Sequence, residues 1–271
     1  MSGKVVLVTG ASSGIGRAIA DLLHARGHSV YGTSRRPEAH TAPWRLVAMD
    51  VMDDASVLAA VTMVLAEAGR IDVLVNNAGL VVSGAVEDTS IAEARRSFET
   101  NVLGPMRVAK AVLPGMRERR AGLVVNVGSL AGRIGMPFQG IYSATKFAVE
   151  GLTEALRQEV AGFGIAVTLV APGDTATPVV ENRVRATAAT DPASPYAADF
   201  ARVIAMYEKD EKAGAPPSAV AGLVAGLVEG SRSGARRVVG PAPQRVLVAA
   251  RNLVPGPIFR WGMSLYFGLK R

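Results

Sequence analysis

The sequence predicts an α/β fold, a doubly wound parallel sheet with helices on both faces. Three observations predict it. Short β-branched apolar runs alternate with helix-length segments of about 12 to 20 residues as far as residue 170. The runs are continuously apolar rather than alternating, as strands covered on both faces should be. A glycine-rich turn, T-G-A-S-S-G-I-G at residues 9–16, follows the first run directly, where a first strand would pass into a first helix.

The elements follow in order. Lys4 to Thr9 reads as a buried strand. Residues 14–26 read as a helix with Ile19, Leu22 and Leu23 on one face, ending near Gly27. His28 to Thr33 and Arg45 to Met49 are strands, Asp54 to Ala68 is a helix closed by Gly69, and Asp72 to Val75 is a strand. Ser90 to Arg119 reads as a long helix bent near Gly104-Pro105. Leu123 to Val127, Ile141 to Ala161 and Ile165 to Val170 complete the series as strand, helix and strand. Right-handed βαβ units connect such strands.

From Pro172 to Pro217 the rhythm breaks, with prolines at 172, 178, 192, 195, 216 and 217. This segment follows the carboxyl end of a strand, where such sheets bind ligands, so 172–217 is expected to be a substrate lid. A disordered insertion is the alternative. Residues 218–229 return to helix, and Arg237 to Gly240 reads as a last strand. With no linker and no repeat beyond the βαβ rhythm, residues 1–271 are expected to form one domain, 241–271 being a basic, apolar extension.

Composition removes several classes of function. No cysteine is present, which excludes disulfides, cysteine nucleophiles and thiolate metal sites. His24, His28 and His40 have neither metal-ligand spacing nor a plausible serine triad; they read as exposed or capping residues, and no metal site is predicted. The chemistry falls to Tyr, Lys, Ser, Asn and carboxylates. No apolar stretch of about 18 residues reads as a spanning helix. The first residues lack the pattern of a signal peptide. A cytoplasmic location is expected.

The net charge of +7 is uneven. Arg232, Arg236, Arg237, Arg245, Arg251, Arg260, Lys270 and Arg271 follow Glu229 with no acidic residue among them. Nothing resembles a nucleic-acid module, so no nucleic-acid partner is expected. Apolar and aromatic residues interleave with Arg251, Arg260, Lys270 and Arg271, which suits peripheral membrane contact through 241–271. An oligomer interface or a pocket wall are the other readings.

The glycine turn can hold a dinucleotide. Gly10, Gly14 and Gly16 permit a tight turn and close approach of the backbone to a pyrophosphate. The helix that begins at Gly14-Ile15 offers unpaired N–H donors there, and Ser12 and Ser13 add hydroxyls. The spacing departs from G-x-G-x-x-G. At the end of the second strand stand Ser34 and Arg35, where a site selecting NAD(H) would carry a carboxylate for the ribose 2′-hydroxyl. A guanidinium pairs with a 2′-phosphate, so NADP(H) is favoured over NAD(H). Ordinary solvated charges are the other reading of Arg35 and Arg36. Asp50 and Val51 could meet the adenine edge; Asp50 could instead cap the next helix, although Asp53 and Asp54 are better placed.

Tyr142 and Lys146 lie one helical turn apart on one face, with Ser129 upstream. Bringing a phenol of pKa about 10 to near neutrality takes roughly 4 kcal/mol. An ammonium at about 4 Å supplies a comparable amount at an effective dielectric of about 20, and dehydration of the phenol opposes it.

With these residues assembled, the chain resembles the short-chain dehydrogenase/reductase family, in its short single-domain branch, over nearly its whole length to about residue 240. The resemblance rests on T-G-A-S-S-G-I-G (9–16), D-V (50–51), N-N-A-G (76–79), Asn101, Ser129, Tyr142 with Lys146, and P-G-D-T-A-T (172–177). It implies a Rossmann-type sheet of seven strands. Tyr142 would be the general acid in carbonyl reduction and the base in alcohol oxidation, and Ser129 would orient the substrate oxygen. Lys146 would also hold the nicotinamide ribose. Asn101 would position a water linking Lys146 to solvent, or else brace a helix bend. Asn77, Ala78 and Gly79 would lie beneath the cofactor, Asn76 being as readily a structural turn residue. Pro172, Gly173, Thr175 and Thr177 would line the nicotinamide.

The family's habit implies a homo-oligomer. V-Y-G-T-S-R-R-P and the extension look most like the branch of 17β-hydroxysteroid and retinol dehydrogenase-like enzymes, while acyl-carrier-protein ketoreductases share the same motifs. The implied activity is NADP(H)-dependent interconversion of a small apolar alcohol and its ketone or aldehyde. The alternatives are a carrier-bound 3-oxoacyl reductase and a non-catalytic NADP-binding regulator; intact Ser129, Tyr142 and Lys146 argue against the last.

Overall fold

The computed structural model describes residues 3–230, 234–251 and 253–269; Arg232, Lys270 and Arg271 of the basic tail lie outside them. Seven parallel strands form the central sheet: β1 (Val5–Val8), β2 (Ser29–Ser34), β3 (Arg45–Ala48), β4 (Val73–Asn76), β6 (Gly122–Val127), β7 (Ile165–Pro172) and β9 (Arg236–Val239). The short β5 (Val82–Ser83) pairs in parallel with β8 (Val184–Arg185) in a separate two-stranded sheet. The central order is β3-β2-β1-β4-β6-β7-β9, so the chain winds outward from β1, then reverses to place β4 on its other side. The reversal opens a crevice at the carboxyl ends of β1 and β4, where doubly wound sheets bind ligands.

β1 shows why these strands are apolar throughout. Val6 and Val8 pack into one core with α1 (Gly14–Ala25) and α8 (Pro217–Val228). Val5 and Leu7 point the other way, into a core with α2 (Asp54–Ala68) and α4 (Gly104–Glu118). Each side chain is buried on one face or the other, so the period-2 alternation of a half-exposed strand is missing. Asp53 caps α2 by accepting from the Ala55 N–H at 3.0 Å, and Gly69, at φ 75°, ends the helix.

Three segments differ from the sequence expectation. The stretch read as one helix with a bend at Gly104-Pro105 is α3 (Ile91–Phe98), a π-helical turn over Glu99–Leu103, and α4. Pro105 falls in the first turn of α4, where its missing N–H costs nothing; the irregularity lies just before it. The 172–217 segment holds α6 (Val179–Asn182), β8 and a full helix, α7 (Ala197–Lys212). Phe200, Val203, Ile204 and Tyr207 give α7 its buried stripe at i, i+3, i+4 and i+7. The tail forms two short helices, α9 (Ala242–Ala250) and α10 (Gly256–Tyr266), separated near Pro255. Among the described residues no helix is long and apolar enough to cross a membrane. His28 is a further correction: its imidazole is mostly buried and Nδ1 accepts from the Lys4 N–H at 3.1 Å.

Candidate active site

A cleft of about 750 Å³ opens at the carboxyl end of the sheet. Every residue expected from the sequence to serve the site lines it except Gly16 and Asn101, which sit just behind its wall.

At one end lies the glycine turn. Gly10 and Gly14 have φ of 63° and 54°, the left-handed region that glycine adopts without strain. A Cβ on Gly16 would collide with the Gly10 carbonyl and the Asn77 amide, so the third glycine is required for packing. Ser13 stands at the N-cap of α1 with extended backbone and no side-chain capping bond, leaving the first-turn N–H groups open toward the cleft. Thr9 Oγ1 accepts from the Asn77 and Ala78 N–H groups, both at 3.0 Å, and Asn77 Nδ2 donates to the carbonyls of Thr9 and Gly10, both at 3.0 Å. Asn77 thereby straps the end of β4 onto the glycine turn. Asn76 points into the sheet, donating to Asn126 Oδ1 at 2.9 Å.

At the end of β2, Ser34 is buried and its Oγ accepts from the Arg36 N–H at 3.2 Å. Arg35 and Arg36 are exposed at the cleft rim and form no ion pair among the described residues. Asp50 follows β3 and accepts from the Met52 N–H at 2.9 Å. It closes its own turn, while Asp53 caps α2.

At the other end stand Ser129, Tyr142 and Lys146. Ser129 follows β6 and caps a short 3₁₀ turn, its Oγ accepting from the Ala131 N–H at 3.1 Å. The Ser129 hydroxyl lies near the Tyr142 phenol and favours its ionised form. Tyr142 and Lys146 lie on α5 (Gly140–Val160). Lys146 Nζ is buried, donates to the Val127 carbonyl at 3.0 Å and lies 5.7 Å from the centre of the Tyr142 ring. Burial pushes the Lys146 ammonium down to about 8. It also pushes the Tyr142 phenol up, outweighing the opposing effect of the Ser129 hydroxyl, so dehydration prevails over the lowering expected from Lys146.

Asn101 sits in the π-helical turn. Its Oδ1 accepts from the Leu80 N–H at 2.7 Å, and Nδ2 donates to the Leu80 carbonyl at 2.8 Å and Thr145 Oγ1 at 3.0 Å. Its side chain braces the loop after β4 against α5, one residue from Lys146.

The loop after β7 closes the third side. Thr175 Oγ1 donates to the Gly173 carbonyl at 2.9 Å, and Thr177 lies against Gly14. Gln244 of α9 clamps this loop: its Oε1 accepts from the Asp174 N–H at 2.9 Å and its Nε2 donates to the Asp174 carboxylate. Sequence reasoning missed Gln244, which lies 70 residues away with no local signal. It also missed a buried polar group within residues 172–217. Arg183 is buried, donates to Ser83 Oγ at 2.9 Å and pairs with both oxygens of Glu211, at 2.5 and 2.6 Å. Glu211, Asp174, Asp210 and Tyr207 line the cleft beside an apolar wall that includes Met136, Val248, Met263 and Phe267. Burial pushes the Asp174 and Glu211 carboxyls up. The i, i+4 pair Tyr207–Glu211 on one face of α7 is the available signal, masked by the prolines on either side of that helix.

A Rossmann-type sheet, a glycine turn at its switch point and a Ser–Tyr–Lys group facing that turn define a nicotinamide-dependent oxidoreductase. Comparison with known proteins agrees. The short chain dehydrogenase family model matches residues 4–188, and the chain belongs to that family. It is 38% identical over 270 residues to a 3-ketodihydrosphingosine reductase of Bacteroides thetaiotaomicron, covering 100% of both chains. Among solved structures it resembles a short-chain dehydrogenase from Streptomyces avermitilis, with TM-score 0.82, 35% identity and 99% of each chain covered. A short-chain dehydrogenase/reductase from Burkholderia phymatum in complex with NAD gives TM-score 0.78 at 27% identity, with 93% of this chain and 95% of that one covered.

Proposed function

We propose that the protein is an NADP(H)-dependent reductase of a long-chain ketone, with Tyr142 as general acid. The observation that carries this reading is buried Lys146 set 5.7 Å from the centre of the Tyr142 ring, with Ser129 lining the same continuous cleft as the glycine turn. The residues fit a dinucleotide: Gly10 and Gly14 take the positive φ of a tight turn lining the cleft, and the α1 amino terminus is open. Arg35 and Arg36, without carboxylate partners at the rim, suit a 2′-phosphate, which supports NADP(H) over NAD(H). Asp50, Val51, Ala78 and Gly79 would flank the adenine and ribose, and Pro172, Gly173, Thr175 and Thr177 the nicotinamide.

When bound, the nicotinamide supplies the hydride that forms the new C–H bond at the carbonyl carbon. Ser129 donates a hydrogen bond to the carbonyl oxygen and fixes its position. Tyr142 gives its phenolic proton to that oxygen as the C–O bond becomes single. Lys146, held by the Val127 carbonyl, stabilises the phenolate that remains. Asn101 holds the Leu80 loop and α5 in register beneath it. In alcohol oxidation the proton moves the other way.

The substrate reading rests on the wall beneath the lid. Met136, Val248, Met263 and Phe267 offer an apolar path for a chain, while Asp174 and Asp210 line the cleft without an ion pair. That combination suits an amphiphilic ketone with an amino head, the chemistry named for the Bacteroides relative. Residues 172–217 act as the substrate lid within one domain of 1–271. The test is NADPH consumption against 3-ketodihydrosphingosine, steroid ketones, retinal-like aldehydes and 3-oxoacyl thioesters, with Tyr142→Phe alongside. Turnover of the long-chain amino ketone that the variant loses supports the reading. Turnover of the thioester alone would favour a carrier-bound substrate, and NADPH binding without turnover would favour a regulator.

A further inference from the structure

We propose that the outward faces of α9 and α10 dock on an anionic phospholipid bilayer, placing the mouth of the cleft at its surface. The two helices are two-sided. Their inner side chains, Val248, Met263 and the adjacent Phe267, form cleft wall, and Phe267 is only 1% exposed. Apolar side chains on their outer faces and on the turn between them are in water: Val246 is 66% exposed, Leu253 84%, Ile258 57%, Trp261 51% and Leu265 59%. Ile258, Trp261 and Leu265 stand at i, i+3 and i+7, one stripe along α10.

Charge identifies the partner. Arg245, Arg251 and Arg260 are exposed on the same segment, and no acidic residue follows Glu229 in the sequence. An apolar stripe flanked by arginines matches the boundary between acyl chains and anionic headgroups. The helices have 9 and 11 residues, about half of what a bilayer core requires, so they would lie on the surface. A second copy of the chain is a poorer occupant: a twofold contact sets the patch against itself and brings like arginines together. The surface is argued from the tail alone and does not depend on the substrate reading.

The experiment uses the full chain with vesicles of phosphatidylcholine, with and without phosphatidylglycerol. Trp261 is exposed and the chain's other tryptophan, Trp44, is buried, so quenching by brominated lipid reports insertion of the tail. The expected result is flotation with the anionic vesicles and quenching of Trp261. Arg260→Gln should weaken binding about fivefold, and Ile258→Glu more than tenfold. Both variants should keep the wild-type rate on a water-soluble ketone. No flotation on either vesicle overturns the proposal. So does equal flotation of wild type and Ile258→Glu, or a tail-dependent dimer that leaves vesicles unbound. Removing everything after Gly240 would be a poorer test, because it also removes Gln244 from the cleft.

Discussion

Lys146 Nζ lies 5.7 Å from the centre of the Tyr142 ring and donates to the Val127 carbonyl at 3.0 Å, its one acceptor among the described residues. One helical turn places the ammonium under the phenol, and the end of β6 anchors it there. Burial acts on both groups in the direction that favours their neutral forms, lifting the tyrosine and bringing the lysine down to about 8. The pair is therefore poised at a cost to stability.

That cost has a sign that can be measured. Lys146 titrates near 8 in the folded chain and near its usual 10.5 when unfolded. Between those values the unfolded state binds the extra proton, so wild-type stability rises with pH across that window. Lys146→Met lacks this term. The stability of wild type relative to the variant should improve by about 3 kcal/mol from pH 8 to about pH 10.5, read by urea unfolding at several pH values. A constant difference would mean that Lys146 is not held as a buried ammonium. The variant should also lose turnover.

The proposed preference for NADP(H) turns on Arg35. It is exposed at the cleft rim beside buried Ser34 and forms no ion pair among the described residues. Arg35→Leu should lower kcat/KM with NADPH by about ten- to a hundredfold, the worth of a charge-assisted contact, while leaving NADH nearly unchanged. Equal losses with both cofactors would show that Arg35 serves the fold or the shared part of the dinucleotide.

The strands and the glycine turn were legible because their signals are local: β-branched runs, then glycines where a Cβ would collide, as at Gly16. Tyr142 and Lys146 were legible through helical spacing. What stayed hidden depends on distant partners. Gln244 reaches Asp174 across 70 residues, and Arg183 meets Ser83 across 100. α7 was missed because the prolines around it, from Pro192 to Pro217, masked the stripe of Phe200, Val203, Ile204 and Tyr207. The π-helical turn at Glu99–Leu103 has no proline of its own; it is stabilised by Asn101 reaching Leu80 and Thr145.

Gln244 ties the tail to the loop after β7. It holds both the Asp174 N–H and its carboxylate, on the loop that carries Gly173 and Thr175. Gln244→Ala should raise KM for the cofactor about tenfold, as expected for hydrogen bonds of ordinary strength, with a smaller change in kcat. Gln244→Glu sets a second carboxylate against Asp174 and should be worse at neutral pH than alanine. If both variants match wild type in KM, the clamp has no bearing on the cofactor loop.

The Arg183–Glu211 pair joins two parts of the 172–217 segment and is the most buried ion pair among the described residues. The Arg183 side chain is 1% exposed and that of Glu211 12%, and the guanidinium also donates to Ser83 on β5. It thereby joins the short β5–β8 sheet to α7. Burial pushes the Glu211 carboxyl up, and contact with Arg183 opposes that rise. Arg183→Met removes the compensating charge and leaves a carboxylate in a dehydrated site, which should destabilise the chain by about 3 to 5 kcal/mol. For a chain of this size that corresponds to a fall in Tm of roughly 10 °C. Adding Glu211→Leu removes the stranded charge, so the double variant should recover most of the loss in a thermal melt. If it recovers nothing, the stabilising contact is the bond from Arg183 to Ser83 rather than the ion pair, and Ser83→Ala should then reproduce the single variant.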